Sequence, residues 1–127
     1  MLKNQIAACC KALKLGQNIV ETCDTISADT HQEYLLKLLQ LEVEHRALVR
    51  EQKLLKKAGF YSIKTFNDFR FNEVTLPQEV TPEYLKNCDF LETKTNIVMY
   101  GNIGTGKTHL SIALGVEACK KGIHTLF

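Results

Sequence analysis

Residues 101–108 read Gly-Asn-Ile-Gly-Thr-Gly-Lys-Thr, and no other stretch of the chain constrains its folding as strongly. Glycine adopts positive φ at little cost and has no Cβ, so a loop this rich in it can turn successive backbone N–H groups into one concavity. A concavity of amides suits an anion. Lys107 adds a mobile positive charge that can reach the outer phosphates of a nucleotide, and the Thr108 hydroxyl suits a Mg2+ ligand. A helix opening at Gly106 and Lys107 aims the positive end of its dipole at the same place. The pattern GxxxxGK[ST] of a P-loop is met in full. The expected nucleotide-binding set is Gly101, Asn102, Ile103, Gly104, Thr105, Gly106, Lys107 and Thr108, closed by His109.

The flanks suit such a loop. Ile97, Val98, Met99 and Tyr100 form a short continuous apolar run, as in a strand buried on both faces of a parallel sheet. A helix is expected from Lys107 to about Lys121, with Leu110, Ile112, Ala113, Leu114, Val116 and Cys119 on a wide apolar face and Gly122 as its stop. Ile123 to Phe127 reads as the start of another strand. The predicted fold class is therefore α/β: an N-terminal helical region followed by the first βαβ part of a P-loop domain.

Upstream the pattern is helical. Leu2, Ile6, Cys9, Cys10 and Leu13 recur at helical spacing up to Gly16, and a second short helix is expected over 17–25. Thr30-His31-Gln32-Glu33 has the form of a capping box. No glycine or proline follows before Gly59, which predicts one long helix from about 31 to 57. Along it Tyr34, Leu41, Leu48 and Leu55 recur at heptad spacing with Leu38 beside them, whereas His45 and Gln52 take the later companion positions. The apolar stripe thus narrows toward the C-terminal end.

That end is basic. The chain as a whole carries a formal net charge of only +2, so any case for a polyanionic partner must be local. Arg46, Arg50, Lys53, Lys56 and Lys57 stand against Glu51 alone in 46–57. Two readings remain open: a solvated helix end, favoured by the helix dipole, or a surface for the DNA backbone.

Residues 59–81 form the expected linker between a helical region at 1–58 and the P-loop region at 82–127. Phe60, Phe66, Phe69 and Phe71 cluster there with Tyr61, too aromatic a set for free solvation, so the linker should pack on a neighbouring surface. Thr81-Pro82 reads as an N-cap and first helical residue, opening a helix to about Leu91. The five cysteines show no CxxC spacing, which argues against a zinc site or a disulfide framework. They suit a reducing, cytoplasmic compartment. No stretch approaches the length of a membrane span.

The segment Tyr100 to Gly122, YGNIGTGKTHLSIALGVEACKKG, resembles the P-loop region of the IstB-like helper ATPases of bacterial insertion sequences. Asn102, Ile103 and Ser111 depart from that family's usual wording. Tyr34 to Leu39, Lys57-Ala58-Gly59-Phe60 and Lys64-Thr65-Phe66 with Phe69 and Phe71 resemble its upstream region. The resemblance implies an AAA+ protein related to the DnaC helicase loaders, with ATP and Mg2+ as cofactors. It also implies a transposase and DNA as partners, and self-association. It implies that the Walker B carboxylates, the sensor and the arginine finger come from sequence beyond Phe127, so the catalytic residues are unknown and binding without hydrolysis is expected. Glu117 and His109 are the nearby candidates; Glu117 reads as a surface residue, and no role for His109 follows from its chemistry. A helicase loader of the DnaC type and an interaction protein without ATPase activity are the competing readings.

Overall fold

The capping box opens the longest element. In the computed structural model, which describes residues 1–127, the Glu33 N–H donates to Thr30 Oγ1 at 3.1 Å. The Glu33 carboxylate reaches back to accept from the Asp29 N–H at 3.0 Å. Helix α3 (His31–Ala58) then runs 28 residues, about 42 Å at 1.5 Å per residue, and gives way at Gly59 with φ +79°. The chain forms two compact units, Met1–Arg50 and Glu51–Phe127.

The first unit contains α1 (Leu2–Ala12), α2 (Gln17–Thr22) and the beginning of α3. Its apolar core is small: Cys10 and Ile19 are its buried hydrophobic residues. A carboxylate does much of the joining. Glu42, only 5% exposed, accepts from the Gly16 N–H through both oxygens, at 3.0 and 3.1 Å, and from Arg46 Nε at 2.7 Å. Arg46 Nη2 in turn donates to the Lys14 carbonyl at 2.6 Å. A Cβ at Gly16 would meet Asn18 Oδ1 at 2.2 Å and Glu42 Oε2 at 2.7 Å, so a side chain there would displace the ends of both.

The second unit contains the end of α3, the linker, α4 (Pro82–Lys86), α5 (Asp89–Glu92) and α6 (Lys107–Lys120). The helix expected from Thr81-Pro82 does start there: the Tyr84 N–H donates to Thr81 Oγ1 at 3.1 Å. It breaks at Cys88, which takes a left-handed φ of +57° and buries its side chain. Leu85, Cys88, Phe90, Leu110 and Leu114 form the core, and Phe66, Phe69, Phe71 and Met99 pack against it. These three linker rings therefore belong with the core, trading exposed apolar area for contact, whereas Tyr61 stays 72% exposed.

Helix α6 is the spine of this unit, with Ile112, Ala113 and Cys119 fully buried. Gly115 lets the linker approach it: a Cβ there would lie 2.5 Å from Phe60 Cζ. The helix stops as Gly122 predicts. Gly122, at φ +76°, donates its N–H to the Cys119 carbonyl at 2.9 Å, and Ile123 donates to Ala118 at 3.0 Å, the paired bonds of a Schellman motif.

The α/β expectation is corrected here. The chain is 58% helix and contains no strand or sheet, so no βαβ unit forms around the P-loop. A strand directs its N–H and C=O groups sideways and exists only beside a second extended segment about 4.8 Å away. Ile97 to Tyr100 has no such neighbour. Its backbone makes no ladder bond, and Val98 and Tyr100 are 86% and 95% exposed. Ile123 to Phe127 is engaged elsewhere: the Phe127 N–H donates to the Ala58 carbonyl at 2.8 Å, and its ring meets Phe60 and Tyr61 at centroid distances of 5.7 and 5.8 Å. Apolar runs of strand type identify what wants burial; they do not supply the partner.

Candidate phosphate site

The loop from Gly101 to Gly106 ends on the first turn of α6. Gly104 and Gly106 take left-handed φ values of +80° and +89°, which side-chain-bearing residues rarely adopt. Gly106 caps the helix, and its carbonyl accepts the first helical bond, from the Leu110 N–H at 2.9 Å. The amides of Lys107, Thr108 and His109 are thereby left without a partner inside the helix. Their partial positive charge gathers at the loop.

Lys107 folds back over that loop. Its Nζ donates to the carbonyls of Gly101 and Asn102 at 2.8 and 2.7 Å and lies 3.4 Å from Thr105 Oγ1. Thr105 Oγ1 donates to the Asn102 carbonyl at 2.8 Å, tightening the same turn. The ammonium is thus held among neutral oxygens at the loop mouth, and phosphate oxygens would be stronger acceptors for it. Residues 101–105 and Thr108 are open to solvent to differing degrees, and Ile103 stands fully in solvent at the tip. Beneath them the site is anchored: Leu110 and Ile112 are buried, and Ser111 Oγ donates to the Lys107 carbonyl at 3.0 Å. Loop geometry, free amides, lysine and hydroxyl together fit a polyphosphate with its cation.

His109, the last of the expected set, turns away from the loop. Its Nε2 lies 3.0 Å from the Thr65 carbonyl, and its ring is 5.4 Å from that of Phe69. Phe69 also presses on the loop itself, since a Cβ on Gly106 would come 3.2 Å from Phe69 Cε2. Sequence reasoning did not find Thr65 and Phe69 as neighbours of the P-loop. The only available signal was the density of aromatic residues in the linker, which predicts packing without naming its target.

The remaining candidates lie apart from the loop. Glu117 is about 15 Å along α6 from Lys107 at 1.5 Å per residue, and its carboxylate pairs with Lys120 at 3.1 Å. Arg46, Arg50, Lys53, Lys56 and Lys57 are all exposed on α3. At 3.6 residues per turn, Arg46, Arg50, Lys53 and Lys57 share one side of that helix, and Lys56 is rotated away. Arg46 is partly engaged through Glu42 and the Lys14 carbonyl. No group of three or more His, Cys, Asp or Glu side chains is arranged to hold a metal ion. No helix is long and apolar enough to cross a membrane.

Residues 9–127 match the family model described as IstB-like ATP binding protein. A protein of Geobacillus stearothermophilus, named for ATP binding in insertion sequence IS5376, is 33% identical over 98 residues, covering 77% of this chain and 39% of the relative. Its counterpart from insertion sequence IS21 of Pseudomonas aeruginosa is 36% identical over 98 residues, covering 76% and 37%. The chromosomal replication initiator DnaA of Aquifex aeolicus is 32% identical over 114 residues, covering 88% of this chain and 27% of that protein. The chain thus spans less than half the length of these curated relatives.

Proposed function

As the chain belongs to the family of IstB-like ATP binding proteins, we propose that Gly101–Thr108 is its site for the triphosphate of ATP, and that it serves an insertion sequence as a helper of the transposase. The observation that carries the reading is the arrangement of Lys107, its ammonium poised over a loop with two left-handed glycines that opens directly into the first turn of α6. On binding, Lys107 exchanges the carbonyls of Gly101 and Asn102 for phosphate oxygens, and the amides of the first helical turn complete the cradle. Thr108 would hold Mg2+, which when bound neutralises charge between the outer phosphates. The role of these residues is to bind and orient the nucleotide.

The test is isothermal calorimetry of ATP·Mg with the 127-residue chain and Lys107→Ala. Lys107→Ala removes the charge without removing buried volume, so binding should be lost while the helical circular dichroism is unchanged. A wild-type chain that is folded and takes up no ATP·Mg, or a Lys107→Ala chain that binds as well as wild type, sinks the assignment.

DNA is the proposed surface on which the helper and its transposase meet, with the exposed bases of α3 touching its backbone. Four of them on one side of a helix suit a run of phosphates better than a scattered set would. Neutralising Arg46, Arg50, Lys53, Lys56 and Lys57 should weaken binding alike for unrelated duplexes. It should also flatten the slope of log K against log salt by roughly 0.9 for each phosphate that is no longer neutralised. Unchanged affinity and slope would return the island to a solvated helix end.

A further inference from the structure

The surroundings of His109 suggest what a histidine is doing one residue past the phosphate ligands. Its Nε2 must carry the proton, because the Thr65 carbonyl 3.0 Å away can only accept. The bond joins residue 65 of the linker to the first turn of α6. The imidazole also stands against Phe69, whose edge touches Gly106 on the other side of Lys107 and Thr108. Phe69 meets Phe71 edge to face at 4.9 Å, and Phe71 stacks on Phe66 at 5.9 Å. All three rings pack against the core of Leu85, Phe90 and Leu110. Linker and phosphate loop therefore meet at two points, Gly106 and His109, that bracket Lys107 and Thr108. No other hydrogen bond joins Thr65–Phe71 to the loop or the first turn of α6.

We propose that His109 is a positioning residue. Its bond to the Thr65 carbonyl ties the linker Thr65–Phe71 to the phosphate loop, so that the loop is held ready for ATP and ATP in turn orders the linker. This deepens the reading of the loop as an ATP site and rests on it. The physical ground is that a ligand site is as precise as the residues supporting it, and that coupling between two sites is reciprocal. The His109 side chain does not touch the phosphates; it acts through Gly106 and the helix start.

Three chains test this by calorimetry and amide hydrogen exchange with and without ATP·Mg: wild type, His109→Phe and His109→Gln. His109→Phe keeps a ring against Phe69 and leaves the Thr65 carbonyl without its donor; His109→Gln keeps a donor and gives up the ring. In wild type, ATP·Mg should slow exchange at Phe66–Phe71 as well as at the loop. In His109→Phe the affinity should fall about tenfold, the scale of one hydrogen bond, and ATP·Mg should protect the loop amides alone. His109→Gln should recover most of both effects. Protection of Ile112–Cys119 serves as the folding control, since a merely structural defect would lower it as well. A wild type that does not bind ATP·Mg removes the premise and this proposal with it. A wild type that binds, while His109→Phe retains both its affinity and the protection of Phe66–Phe71, overturns the proposal and leaves the ATP site standing. Linker protection that falls in His109→Gln as far as in His109→Phe also overturns it, because the donor would then not be the link.

Discussion

The two units solve the same problem, holding helices together, by different physics. In Met1–Arg50 the buried apolar side chains are Cys10 and Ile19, and the joins are polar: the Gly16 N–H to Glu42, Arg46 to the Lys14 carbonyl, the Tyr34 hydroxyl to the Cys23 carbonyl, and Lys3 paired with Asp24. In Glu51–Phe127 a continuous apolar core carries the structure, with α6 buried along most of its length and the linker rings packed on it. The titrating groups follow the same division. Asp24, Glu33 and Glu42 are all held below the ordinary carboxylate value, each chiefly by a side-chain hydrogen bond from its basic neighbour. Cys88, in the second unit, is pushed up by burial. The contrast places the Gly101–Thr108 loop on the unit that is held together by packing. The polar unit is the more adjustable one.

The largest expected effect is in the packed unit. Ile112→Ala deletes a fully buried side chain from the spine helix and should cost about 2–5 kcal/mol in urea denaturation, with exchange accelerated along α6. Leu35→Ala, at a residue 54% exposed on α3, is the internal control and should cost well under about 1 kcal/mol. Equal losses at the two positions would break the comparison.

A smaller and sharper effect belongs to the polar unit. The Glu42 pKa is lowered from 4.5 by Arg46 first, with the Gly16 N–H adding to the pull against the cost of its burial. A carboxylate with a depressed folded pKa binds fewer protons in the native state, so its stabilisation is full above pH 4.5. It is lost as pH falls from there through the lowered value. Glu42→Gln should therefore destabilise the first unit at neutral pH and flatten its acid dependence, read as exchange of the α1 and α2 amides from neutral pH down through the carboxylate range. An acid profile in Glu42→Gln as steep as in wild type would assign the sensitivity to Asp24 and Glu33 instead.

Much of this was legible in the residues, and the division is physical. Helices close their hydrogen bonds locally, so the capping box at Thr30, the glycine-free run to Ala58 and the stop at Gly122 could be read from order alone. The phosphate loop was equally local: spacing of glycine, lysine and threonine determines which amides and charges can converge, whatever surrounds them. What the sequence could not determine was anything needing a distant partner. Ile97 to Tyr100 has the composition of a buried strand, yet no second segment lies beside it, and Val98 and Tyr100 stay exposed. Glu42 is not marked out by the residues around it; only the approach of Gly16, 26 positions away, makes it a buried joint. His109 reads as a residue without a role until the fold brings Thr65 to within 3.0 Å, 44 positions upstream. Local order determined the helices and the loop because their bonding is between near neighbours. Tertiary structure alone decided the missing sheet, the carboxylate joint and the histidine tether, because each depends on two segments meeting.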